Sequence, residues 1–159
     1  MIQGVKVKNL VIHKDIPDTE QFGVKLGFLM EVLRNDENLL SKFGQSNMTV
    51  AYKGTIKGFH HHEKQDDLWF AATGKIMVVL YDARKDSPTY KETQVLYAGQ
   101  DDYKLIVIPV GVIHGYKVLS DEPAILIYYT TEAYDPKNPD EKRTRHDDPG
   151  IGFKWEDNN

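Results

Sequence analysis

The 159-residue chain has 40% hydrophobic and 28% charged residues, no cysteine, and a formal net charge of −4 at pH 7. A chain of this size buries roughly two-thirds of its unfolded surface, so one domain with a real core is expected. The acidic balance offers no basic footprint for nucleic acid. The missing cysteines exclude disulfides and thiolate chemistry, and no apolar run nears the ~20 residues that span a bilayer.

The start, Met1-Ile2-Gln3-Gly4-Val5-Lys6, lacks the charged head and apolar core of a signal peptide, which makes the cytoplasm the expected compartment. Residues 5–12 read as a first strand and 27–33 as another. Asn35-Asp36-Glu37 supplies capping and early acidic residues for a short helix over 38–43. Strands are then expected at 47–52, 54–60, 67–73 and 75–82, with Thr73-Gly74 as a tight connection, and at 91–97, 104–109, 114–119 and 124–129. Many short strands with frequent turns indicate an all-β sandwich or small barrel. The stretch 132–149, rich in Pro, Asp, Lys and Arg, reads as an ordered loop or short helical turns on the surface.

Lys57-Gly58-Phe59-His60-His61-His62, followed by Asp66 and Asp67, concentrates half of the chain's histidines at one strand end. Imidazole titrates near neutrality and also ligates metals, so the cluster suits proton transfer or chelation of a divalent ion. On a strand, residues i and i+2 share a face. His60 and His62 should therefore point together with His61 turned away. Asp67 could join them across the turn, and His114 could close the set from the opposite sheet. Gly54, Gly58, Gly74 and Gly111 read as turn and close-packing residues, and Phe59, Trp69 and Phe70 as packing residues.

Gly54, His60, His62, Asp67 and Gly74, with Pro109, Gly111 and His114, are similar in spacing to the two metal-binding motifs of the cupin superfamily, with Asp67 where glutamate is usual. A longer resemblance, over about 27–155, is to the dTDP-4-dehydrorhamnose 3,5-epimerase family. It rests on Gln45-Ser46-Asn47-Met48-Thr49, Lys53-Gly54-Thr55-Ile56-Lys57-Gly58-Phe59-His60 and the segment from Asp82-Ala83-Arg84 to Ser87-Pro88-Thr89-Tyr90. It continues through Ile108-Pro109-Val110-Gly111-Val112-Ile113-His114-Gly115-Tyr116, Thr130-Thr131-Glu132-Ala133-Tyr134-Asp135-Pro136, and Asp148-Pro149-Gly150-Ile151-Gly152-Phe153-Lys154-Trp155.

The resemblance implies an all-β, cupin-type antiparallel jelly roll with a short helix and an irregular C-terminal segment, forming one domain over 1–159. Within it, 1–35 would hold N-terminal, dimer-forming strands, 45–131 the barrel core and 132–159 the C-terminal segment. It implies an enzyme that epimerises or isomerises a nucleotide-diphosphate 4-keto-6-deoxy-sugar in deoxysugar or surface-polysaccharide synthesis. By position His60 is then the base and Tyr134 the acid, the first suited by a pKa near 7 and the second by a phenol that arrives protonated. His114 and Asp82 would contact the sugar or support its charge. Gln45, Asn47 and Lys57 would hold the nucleotide diphosphate, Lys57 keeping the family arginine's charge without its bidentate fork. His62 and Asp67 complete the substrate-binding set.

Three positions depart from the family pattern. Asp67 stands where the family has a lysine near the enolate oxygen, and a carboxylate there opposes developing negative charge. The family's base-orienting aspartate lies beyond the tryptophan matched by Trp155, outside this sequence. Leu26 replaces the arginine of an N-terminal R-G-x-F motif, with Lys25 beside it. The expected reaction uses no cofactor and a small-molecule substrate, with neither nucleic acid nor membrane as partner, and a homodimer as the assembly. Two alternatives stay open: a metal-dependent cupin enzyme holding one divalent ion with His60, His62, Asp67 and His114, and a silent barrel that only binds a nucleotide sugar.

Overall fold

In the computed structural model, which describes residues 1–16 and 23–156, twelve strands and one short 3₁₀ turn make up the regular structure. Positions 17–22 of the expected N-terminal segment and 157–159 of the C-terminal one lie outside the described residues. One five-stranded antiparallel sheet runs β1 (Lys6–Asn9), β9 (Lys104–Ile108), β6 (Asp67–Thr73), β11 (Ala124–Thr130), β4 (Gln45–Ala51). The other runs β12 (Glu141–Arg143), β5 (Ile56–His62), β10 (Val112–Val118), β7 (Lys75–Asp82), β8 (Thr93–Gly99). A small ribbon pairs β2 (Ile12–Lys14) with β3 (Phe28–Met30).

Period-2 alternation explains the two-layer arrangement. Inward residues Trp69, Ala71, Ile106 and Leu126 of one sheet pack with Ile76, Val78, Leu80 and Val118 of the other. On the central strands the outward residues are also covered. Leu68, Phe70, Leu105 and Val107 lie under Val32, Leu33, Leu39 and Leu40. Phe59, Met77, Val79 and Ile113 are capped by Trp155 with Ile151 and Phe153. Burial on both faces is why the central strands read as nearly continuous apolar runs.

The jelly-roll expectation holds, while several boundaries move. The expected first strand divides into β1 and β2, and the one at 27–33 contracts to β3. No helix forms over 38–43. The acidic residues 35–37 make a single 3₁₀ turn, and Asn38 enters the left-handed region at φ 51°, which ends it. Leu39 and Leu40 instead lie down as a cover on the sheet, where burial outweighs their helix propensity. The C-terminal segment, expected without strand structure, contributes β12, whose three residues pair with His60, His61 and His62.

Candidate active site

The inter-sheet space opens at one end into a cavity of about 1510 Å³, larger than the roughly 300–1,000 Å³ of ordinary small-molecule pockets. Its floor is set by the register of β5 against β10, which puts His60 opposite His114. Gly58 and Gly115 permit that approach: a Cβ on Gly115 would sit 2.9 Å from the Lys57 carbonyl oxygen, and one on Gly58 would sit 2.9 Å from the Gly115 Cα. His60 and His62 both line the cavity and His61 does not, as strand alternation requires.

Imidazoles and one carboxylate converge there. The His114 ring lies 5.5 Å from that of His62, 6.5 Å from that of His60 and 5.0 Å edge-on from Trp69. Asp67, only 3% exposed, places Oδ2 3.7 Å from His62 Nε2 and 3.7 Å from His114 Nε2. The carboxylate also accepts from Gln65 Nε2 at 2.8 Å and Trp69 Nε1 at 3.2 Å. On the far side of His62, Asp140 Oδ2 is 4.0 Å from Nδ1. The Asp140 carboxylate accepts the backbone N–H groups of Glu63, Lys64 and Gln65, pinning the β5–β6 turn.

The surroundings separate the three ring pKa values. Burial lowers that of His60, against a pull upward from Glu141 and with Arg143 adding to the depression, so the ring is neutral at pH 7. Burial also opposes the charged form of His62, but Asp67, Asp140 and Glu141 outweigh it and hold this imidazole above its ordinary value. Burial alone dominates at His114, pushing it down to about 4. Asp67 stays below the usual carboxylate range because His62 and His114 overcome its desolvation.

The residues expected to hold the nucleotide diphosphate, Gln45, Asn47 and Lys57, all line the cavity. Gln45 and Asn47 alternate along β4 on the cavity face, Gln45 Nε2 donating to Asn47 Oδ1 at 3.1 Å. Lys57 lies across the wall from them, donating to Thr49 Oγ1 and to the Val50 carbonyl at 3.3 Å. Tyr134 stands at the mouth, 62% exposed, its backbone N–H held by Gln45 Oε1 at 2.7 Å. Lys25 and Leu26 are not on the cavity wall.

Asp82 departs from expectation. It is 0% exposed and does not line the cavity. Its carboxylate accepts from Arg84 Nε and Nη2, both at 2.8 Å, and from Ser87 Oγ and Thr89 Oγ1, both at 2.6 Å. These bonds use up its acceptor capacity, so the motif at 82–90 is a self-bonded loop and not a sugar contact. The expected four-residue metal set also narrows: one ligand atom each from His62, Asp67 and His114 lie within 4.8 Å of one another, and His60 is not in that group. Two imidazole nitrogens and a carboxylate oxygen suit a divalent transition ion.

Sequence reasoning missed the contribution of β12. Glu141 and Arg143 line the cavity beside His62 and His60, whereas Lys142 does not. All three residues of β12 are charged, so no apolar alternation marked it as a strand.

Comparison with known proteins agrees with this fold. The family model described as dTDP-4-dehydrorhamnose 3,5-epimerase matches residues 7–159. The spore coat polysaccharide biosynthesis protein SpsL of Bacillus subtilis (strain 168) is 53% identical over 155 residues, covering 98% of this chain and 97% of its own. The crystal structure of a dTDP sugar isomerase from Desulfovibrio desulfuricans G20 superposes with a TM-score of 0.84 at 28% identity, covering 98% of this chain and 92% of that one. A dTDP-6-deoxy-D-glucose-3,5-epimerase from Legionella pneumophila Philadelphia 1, solved with dTDP-4-keto-L-rhamnose, gives 0.77 at 26% identity, covering 95% and 78%.

Proposed function

The chain belongs to the dTDP-4-dehydrorhamnose 3,5-epimerase family, and from that premise we propose that it moves a proton at a carbon next to the ketone of a nucleotide-diphosphate 4-keto-6-deoxy-sugar, supplying a polysaccharide pathway. The observation that carries this reading is one cavity lined by a neutral imidazole, His60, a phenol, Tyr134, and the polar wall of Gln45, Asn47 and Lys57. His60 Nε2 or Nδ1 takes the C–H proton, and the electron pair left behind moves into the ketone to form an enolate. Tyr134 O–H returns a proton to the carbon. Gln45 and Asn47 offer amides to the nucleotide, and Lys57 offers its charge to the diphosphate. His114, neutral and fixed by its Nδ1 contact to the Val112 carbonyl at 2.9 Å, orients the sugar.

The proton transfer itself runs on side chains. The reading also includes a homodimer and the cytoplasm as the place of action, because a doubly charged diphosphate substrate is consumed on the side of the membrane where it is made.

Incorporation of solvent deuterium into a dTDP-4-keto-6-deoxyhexose, followed by mass spectrometry, tests the base. His60→Asn should slow exchange by about 10²–10⁴-fold, the usual worth of a positioned acid–base group. Tyr134→Phe should retain exchange and lose inversion. Unchanged exchange in His60→Asn would remove His60 as the base, and tight binding of several such sugars with no exchange in the wild type would make the chain a binding barrel.

A further inference from the structure

We propose that the Tyr116 hydroxyl is a specificity-determining group that recognises the C2 hydroxyl of the sugar. Tyr116 is only 2% exposed, yet it lines the cavity. Its Oη is sealed from solvent and has no hydrogen-bond partner among the described residues. A buried hydroxyl without a partner destabilises a fold, and phenylalanine would fill the same space without that penalty. The oxygen is therefore matched to something the free chain does not supply. Burial raises the phenol's pKa, with the neighbouring Thr49 hydroxyl pulling the other way. Thr49 Oγ1 is itself engaged by Lys57 Nζ.

The facing wall repeats the condition. Asn47 Oδ1 accepts from Gln45 Nε2, while Asn47 Nδ2 is buried with no partner. The Tyr116 ring is also held in place before any ligand arrives. Trp69 stands edge-on to it at 5.7 Å and edge-on to His114 at 5.0 Å, and the indole N–H is anchored to Asp67. Two residues further along their strands, Val118 and Ala51 belong to the closed core, so Tyr116 and Thr49 mark the inner limit of the polar wall.

Placement selects the ligand atom. Tyr116 pairs with Lys57 across β10 and β5, as His114 pairs with His60. The next step rests on the proposed function, which gives Lys57 to the diphosphate and His60 to the reacting carbon. The phenol then stands on the diphosphate side of the base. In a nucleotide hexose the diphosphate is carried on C1, and the adjacent hydroxyl is the one on C2. An alcohol both donates and accepts, which suits a phenol that can do either. Proton transfer beside a C4 ketone leaves the C2 hydroxyl unchanged, so this contact holds substrate and transition state alike. It should appear in KM and not in kcat.

Calorimetry on the full-length protein tests this with dTDP-6-deoxyglucose, which has no ketone and does not turn over, with its 2-deoxy analogue, and with dTDP alone. Wild type should bind the hydroxylated sugar about 3–10-fold more tightly than the analogue, the worth of one neutral hydrogen bond, and Tyr116→Phe should erase that ratio. The variant should bind dTDP as the wild type does, raise KM for the keto-sugar with kcat retained, and melt no lower than wild type. Equal wild-type affinity for the two sugars, with deuterium exchange intact, overturns the Tyr116 assignment and leaves the proposed function standing. A ratio that survives in Tyr116→Phe overturns it as well. Weakened binding of dTDP alone moves the phenol to the diphosphate, and a lowered melting temperature makes it an internal partner of Thr49; either result overturns the C2 contact. A wild type that binds none of the three ligands overturns both the contact and the function.

Discussion

At the scale of single residues, the same side-chain chemistry serves unlike purposes according to what surrounds it. Asp67 and Asp82 are both buried carboxylates at strand ends, yet one is turned into the cavity among imidazoles and the other is consumed by its own loop. For Asp82, desolvation raises the pKa, but Arg84, Ser87 and Thr89 more than reverse it and hold the carboxyl well below the usual range. A carboxyl depressed in the folded state stabilises the fold above its unfolded pKa, near 3.9, and the contribution drains away as pH falls below that value. Asp82→Asn should therefore cost about 3 kcal/mol at pH 7, with the difference from wild type shrinking below about pH 4 in urea titrations. Because Asp82 is off the cavity wall, KM for the nucleotide sugar should change less than about threefold at a temperature where the variant is folded. A large rise in KM with unaltered stability would return Asp82 to the substrate.

At the scale of elements, the site depends on how closely β5 approaches β10. Gly115 faces the Lys57 carbonyl and Gly58 with no room for a side chain. Gly115→Val should force the strands apart, costing about 1–3 kcal/mol as an overpacked position and separating His60 from His114. Thermal unfolding reads the first effect. Loss of deuterium exchange at temperatures where the variant is still folded reads the second, and full activity in a destabilised variant would show that the register is not needed. This dependence also explains what was legible beforehand. Strand alternation is local, so the facing of His60 and His62, the inward Asp67 and the alternating Gln45 and Asn47 could all be read from spacing. β12 could not, because Glu141 and Arg143 are polar residues held in a strand by β5 across about eighty positions of chain. Asp140 is silent for the same reason: its role comes from three backbone N–H groups in a distant turn. The expected helix at 38–43 failed through one left-handed residue and a sheet face that needed covering, a tertiary demand that propensity does not carry. The motif at 82–90 was legible as a motif, but not as a loop that satisfies itself.

At the scale of the molecule, the two sheets are unequally clothed. The outer faces of β6 and β9 lie under the segment that follows β3, and those of β5 and β7 under the C-terminal Trp155 cluster. β4 ends its sheet order, and its outward row is left apolar and bare: Met48 is 67% and Val50 41% exposed, with Tyr52 at 67% just beyond. A bare apolar row on an edge strand invites pairing or cover by another chain. A second copy of this chain is the economical occupant, consistent with the proposed homodimer. Light scattering after size-exclusion chromatography should give twice the chain mass at micromolar concentration, and Met48→Glu combined with Val50→Glu should give a single chain mass with an unaltered circular dichroism spectrum. The same strand carries Asn47 and Thr49 on its other face, in the cavity wall. Cover on one side of β4 therefore steadies the cavity-facing residues on the other. The monomeric variant should raise KM several-fold more than it lowers kcat, because the proposed function gives this strand to the nucleotide and the proton transfer to His60. A wild-type protein that is monomeric and fully active at micromolar concentration would show instead that β4 holds its wall unaided, and that the exposed row answers to some other demand on the surface.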